Sequence, residues 1–109
     1  MFDLSGKGIV VTGGGRGIGK GIARCMAQCG AAVVIAGRSE GPLLQTAAEL
    51  SGTGARIIPV VTDITSRGDI DRLVQVAIEE LGAIDCWVNN AGSANPADVK
   101  TAKNYVRAA

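Results

Sequence analysis

Gly8-Ile9-Val10-Val11-Thr12-Gly13-Gly14-Gly15-Arg16-Gly17-Ile18-Gly19 runs from an apolar segment straight into a cluster of glycines. A buried strand that turns through glycines into a helix leaves the first N–H groups of that helix without intrahelical partners. Glycines permit the tight turn and let a ligand come close to the backbone. The helix dipole adds partial positive charge at the same place, so the unit suits a pyrophosphate. A glycine-rich surface turn without a ligand fits the same letters, and the surrounding sequence must decide.

Strand and helix signals alternate outward from this point. Gly17 to about Cys29 reads as a helix with Ile18, Ile22 and Met26 on one face, ended by Gly30. Ala31 to Ala36 is apolar throughout, as expected of a strand covered on both sheet faces. Ser39 is a candidate N-cap and Pro42 lies near the start of a helix carrying Leu43, Leu44, Ala47, Ala48 and Leu50, which Gly52 and Gly54 stop. Arg56 to Val61 is a third strand, and Pro59 within it lacks an N–H, which places that strand at a sheet edge. Ser66 with Asp69 resembles a capping box. Ile70, Leu73, Val74, Ala77, Ile78 and Leu81 then mark the clearest amphipathic helix, ended by Gly82 before a fourth strand, Ile84 to Val88. The β-α-β-α-β-α-β pattern with right-handed crossovers predicts an α/β, Rossmann-type doubly wound parallel sheet of order 3-2-1-4. The glycine turn then lies at the switch point between strands 1 and 4, where ligands bind in open α/β sheets.

The 109 residues suffice for one domain. We divide them into a dinucleotide-binding half-domain over 1–92 and a tail over 93–109. No apolar run approaches the ~20 residues of a membrane span, and the N-terminus lacks the pattern of a secretory signal. A net charge of +1 without a basic block, and 3% aromatics, argue against nucleic acid. The chain has no His and three cysteines, Cys25, Cys29 and Cys86. Too few ligands exist for zinc, so no metal site is expected. The cysteines read as small buried apolar residues in a reducing, cytoplasmic setting.

Four places at the strand ends carry the chemistry. About 20 residues past the glycine turn, NAD sites place an acid for the ribose 2′-OH. Here Gly37-Arg38-Ser39 stands instead. Arg38 offers a planar fork suited to a 2′-phosphate, Ser39 adds a hydroxyl, and Arg16 is a second cation within the turn. NADP is therefore preferred over NAD. Asp63 can accept from an adenine amino group with Ile64 packed on the ring, although an Asp at a turn also starts helices. Asn89-Asn90-Ala91-Gly92, after strand 4, reads from physics alone as a turn with room beside it.

Thr12-Gly13-Gly14-Gly15-Arg16-Gly17-Ile18-Gly19, Asp63 and Asn89-Asn90-Ala91-Gly92 resemble, in order and spacing over roughly residues 3–93, the short-chain dehydrogenase/reductase family. The resemblance implies hydride transfer between a nicotinamide cofactor and an alcohol or carbonyl substrate. It implies cofactor binding at Gly13, Arg16, Gly17, Ile18 and Gly19, and 2′-phosphate recognition by Arg38 with Ser39. It further implies adenine contact by Asp63 and Ile64, and ribose or backbone support from Asn90, Ala91 and Gly92. The full-length form is expected to be a homo-oligomer.

In that family a serine and a Tyr-three residues-Lys pair, all further along the chain, perform the chemistry. Tyr105 is the one tyrosine here, and the position four later is Ala109. No catalytic residue is assigned. The family's domain is about twice this length, so the sheet is expected to be truncated after its fourth strand. Three functions stay open: the cofactor half of an NADP(H)-dependent oxidoreductase, a non-catalytic NADP-binding module, and a remnant that binds nothing.

Overall fold

A computed structural model describes residues 3–15 and 17–90. The elements are β1 (Gly8–Thr12), α1 (Gly17–Gln28), β2 (Ala32–Gly37), α2 (Glu40–Ser51), β3 (Ile57–Val61), α3 (Arg67–Leu81) and β4 (Cys86–Asn89). The four strands form one parallel sheet in the order β3-β2-β1-β4. The expected topology is thus the observed one, and the tail over 93–109 lies outside the described residues. Pro59 pairs with Ile35 on the outer strand β3, where its missing N–H costs no second ladder.

Alternation along β1 and β2 feeds two cores. Ile9, Val11, Val33 and Ile35 meet Ala23 and Ala27 of α1 and Leu43, Ala47 and Leu50 of α2. Val10, Val34 and Ala36 meet Leu73, Val74 and Ala77 of α3 on the other face. Each fully buried Leu or Val contributes about 1.5–3 kcal/mol from apolar surface removed from water. Register brings Thr12 level with Ala36 on one side and Asn89 on the other, so the strand ends form one rim.

Several faces differ from those expected. The buried stripe of α1 is Gly19, Ala23 and Ala27, while Ile18 is 76% exposed and Ile22 and Met26 only flank the core. Small residues let this helix lie close against the sheet, which larger ones would prevent. In α2, Leu44 and Ala48 are exposed and Thr46 is buried in the stripe. In α3, Ile78 is exposed at the margin of the apolar face. The cysteines are not the buried apolar residues expected. Cys25 lies on the outer side of α1 and Cys86 on the edge strand β4, both exposed, and Cys29 is half-buried.

Caps also depart from pattern. Ser66 Oγ accepts from Asp69 N at 3.3 Å, but the Asp69 carboxylate reaches Asp63 N at 2.8 Å rather than Ser66 N. Only half of the capping box forms, and its other half secures the end of β3. Ser39 holds the N-cap position of α2 in extended backbone without a side-chain cap bond. Among the described residues no helix is long and apolar enough to cross a membrane.

Candidate functional site

The rim formed by the strand ends opens into a cavity of about 580 Å³ lined by Gly13, Gly15, Gly37, Arg38, Ser39, Pro42, Leu43, Thr62, Ile64 and Asn90. It lies at the switch point, because β2 and β3 continue to one side of β1 and β4 to the other.

The glycine turn is fixed at its start by the sheet. Gly13 N and Gly14 N both donate to Ala36 O, at 2.7 and 3.2 Å. Gly13 has φ +68° and Gly17 φ +60°, backbone that side-chain-bearing residues rarely adopt. Gly19 is packed so closely that a Cβ there would collide with the Gly13 carbonyl and lie 2.8 Å from Asn90 Nδ2. Among the described residues a Cβ at Gly17 would meet nothing within 4 Å, so they leave space beside the first turn of α1. There, N–H groups without intrahelical partners and the positive end of the helix dipole suit a phosphate group.

Thr12 links β1 to β4. Its hydroxyl is buried, lies 3.1 Å from Asn89 Oδ1 and 3.3 Å from Val88 O as donor, and accepts from Asn90 N at 2.9 Å. This bond sets Asn90 at the cavity wall.

The end of β2 carries the charge. Arg38 is exposed on the cavity wall and enters no ion pair among the described residues. Glu40, the first acid after it, opens α2 and does not line the cavity. Asp63 stands beyond β3, off the cavity lining, with Oδ1 accepting from Thr65 Oγ at 2.6 Å and Thr65 N at 2.9 Å. The Thr65 hydroxyl, then its N–H, hold this carboxyl below its ordinary value, and the nearby Arg38 charge lowers it further. Asp63 therefore forms a turn of its own, as a helix-start residue does, while remaining an anion facing the Arg38 field.

Of the expected site residues, Gly13, Arg38, Ser39, Ile64 and Asn90 are brought together on one cavity. Gly17, Ile18 and Gly19 form the adjoining first turn of α1. Arg16, Ala91 and Gly92 lie outside the described residues. Pro42, Leu43 and Thr62, which line the cavity, went unnoticed in the sequence as site residues, as did Thr46, which is not on the lining but donates its hydroxyl to Gly15 O at 2.8 Å. Thr62, fully buried, donates N–H to Gly37 O at 2.8 Å and its hydroxyl to Val60 O at 3.0 Å, joining the ends of β2 and β3. Thr46 offered one signal: it is a polar residue in the i, i+3, i+4, i+7 stripe Leu43, Thr46, Ala47, Leu50.

A family model described as short chain dehydrogenase matches residues 7–106. The chain is 42% identical over 91 residues to short chain dehydrogenase/reductase astE of Aspergillus oryzae, covering 83% of this chain and 35% of that protein. A hydroxysteroid dehydrogenase structure from Escherichia coli superposes with a TM-score of 0.81 at 37% identity, over 86% of this chain and 40% of that one. A short chain dehydrogenase from Burkholderia cenocepacia, solved in complex with NADP, gives 0.88 at 28% identity, over 96% and 51%. The chain thus spans roughly two-fifths of the curated relatives it matches. With the family model matched over most of its length, the chain belongs to the short chain dehydrogenase family.

Proposed function

We propose that the rim cavity binds a nicotinamide dinucleotide, NADP(H) in preference to NAD(H), and that residues 1–92 are the cofactor-binding part of an oxidoreductase acting on an alcohol or carbonyl compound. The observation that carries the preference is Arg38, an exposed guanidinium on the cavity wall that enters no ion pair among the described residues, at the strand end where an acid would serve a free 2′-OH. A bidentate guanidinium–phosphate contact is among the stronger polar interactions and is lost entirely with a 2′-OH ligand. The NADP bound to the Burkholderia cenocepacia relative supports the same choice.

The residues fit such a ligand. The first turn of α1 holds the pyrophosphate on the N–H groups of Gly17, Ile18 and Gly19, with Gly13 keeping the backbone clear, and Arg16 is a second cation for the 2′-phosphate. Arg38 and Ser39 take the 2′-phosphate. Ile64, on the cavity lining, packs against the adenine ring, and Asp63, beside the lining with Oδ1 hydrogen-bonded to Thr65, presents its ionised carboxyl toward the adenine amino group. Asn90, Ala91 and Gly92 support the ribose end, Asn90 being anchored through Thr12. The nicotinamide, when bound, supplies or accepts the hydride.

Calorimetric titration of the chain with NADPH and NADH, for wild type and Arg38→Asp, tests this. Wild type should favour NADPH, and the substitution should weaken NADPH by roughly 10- to 100-fold, as expected for loss of a charge-assisted contact, while sparing NADH. Equal affinities in wild type, or an Arg38→Asp variant that loses both nucleotides alike, would overturn it.

A further inference from the structure

We propose that Thr46 of α2 is a positioning residue for the dinucleotide turn, its hydroxyl holding the Gly15 carbonyl and thereby fixing the loop that receives the pyrophosphate. This rests on the function proposed above. Thr46 is 1% exposed and Oγ donates to Gly15 O at 2.8 Å, across 31 residues of chain. The beginning of the turn is tied to Ala36 O through Gly13 N and Gly14 N. Gly15, at its middle, is tied to α2. The same helix is seated against that point, since a Cβ on Gly15 would lie 3.4 Å from the backbone of Leu43.

A hydroxyl in an otherwise apolar buried stripe is costly unless paired, and valine would fill the space as well. The bond to the turn is what the hydroxyl adds. Because α2 follows directly on Arg38 and Ser39 and carries Pro42 and Leu43 on the cavity wall, Thr46 couples the pyrophosphate loop to the helix next to the 2′-phosphate residues. The Lys20–Glu49 pair, 2.6 Å, also joins α1 to α2, but Lys20 is only half-buried and Glu49 exposed, so solvent screens it.

The test compares wild type, Thr46→Val, Thr46→Ser and Glu49→Gln. NADPH and NADH affinities are measured by calorimetry. Amide exchange of Gly15, Gly17, Ile18 and Gly19 is followed without nucleotide, alongside thermal melts. Thr46→Val should weaken NADPH and NADH by the same factor, about three- to tenfold for one neutral hydrogen bond, and speed exchange in the turn. Thr46→Ser should restore both, and Glu49→Gln should leave both at wild-type values. The shared factor separates this role from that of Arg38, which changes the NADPH/NADH ratio. If Thr46→Val does not fold, Thr46→Ala, which has no side-chain donor, takes its place with the same expectations. Wild-type affinities and wild-type exchange in the hydroxyl-free variant would overturn the role of Thr46 alone. A wild-type chain that binds neither nucleotide would overturn the proposed function and this role with it.

Discussion

Three glycines within the first five residues of α1 should respond to the same substitution with different signs. At Gly19 an added methyl would collide with the Gly13 carbonyl and carbon and come within 2.8 Å of Asn90 Nδ2. Two of those atoms are backbone, so relief requires moving either α1 or the turn, and forced overpacking costs about 1–3 kcal/mol. For a domain of this size that is a fall in Tm of roughly 5–20 °C. At Gly21 a Cβ meets none of the described residues within 4 Å, and the residue is helical and exposed. Alanine there should stabilise by about 0.4–1 kcal/mol, through reduced unfolded-chain entropy and better helix propensity. Gly17 has equal space but φ +60°, so alanine pays only the left-handed backbone cost of about 1–2 kcal/mol. Thermal melts by circular dichroism, with NADPH titration of each variant, read these effects. The expected order of Tm is Gly21→Ala above wild type, then Gly17→Ala, with Gly19→Ala at or near the bottom and impaired in binding because the turn itself must shift. A Gly19→Ala variant that melts with wild type and binds NADPH unchanged would refute the close packing of helix against turn.

Two further effects follow from the cores and the rim. Leu73→Ala, at a fully buried position between α3 and the sheet, should cost about 2–5 kcal/mol in urea unfolding, and a loss below 1 kcal/mol would contradict the packing described. Asp63 is held below its ordinary value of 3.8 in the folded chain, so its contribution is complete above that value and disappears as pH falls through the lowered folded one. The stability gap between wild type and Asp63→Asn should therefore be steady at neutral pH and close in acid, and a gap that widens in acid would show that the Thr65 and Arg38 contacts do not favour the anion.

Strand order was legible because a few strong signals agreed. Apolar runs at Val10-Val11 and Val33-Val34, glycine stops, and Pro59 on an outer strand leave little choice once crossovers are right-handed. The clustering of Gly13, Arg38, Ser39, Ile64 and Asn90 was legible for the same reason: a parallel sheet brings its carboxyl ends to one rim. Helix faces were less so. Hydrophobicity pointed to Ile18 in α1, whereas close approach to the sheet favours Gly19, Ala23 and Ala27, whose small size carries almost no periodic signal. Thr46 and Thr62 were hidden because a threonine's role depends on which carbonyl its hydroxyl finds, and Gly15 and Val60 are set by tertiary packing. The Asp69 carboxylate likewise chose Asp63 N over Ser66 N, a choice between two nearby donors that spacing does not determine.

The most direct test of the central claim, that the dinucleotide sits at the switch-point rim, is amide chemical-shift mapping of the 109-residue chain during NADPH titration. The account predicts the largest shifts at Gly13, Gly15, Gly17, Ile18, Arg38, Ile64 and Asn90, and little change at Gly52 and Leu81, at the opposite ends of α2 and α3. Saturable binding whose shifts fall elsewhere, such as along the outer edge of β4, would contradict it.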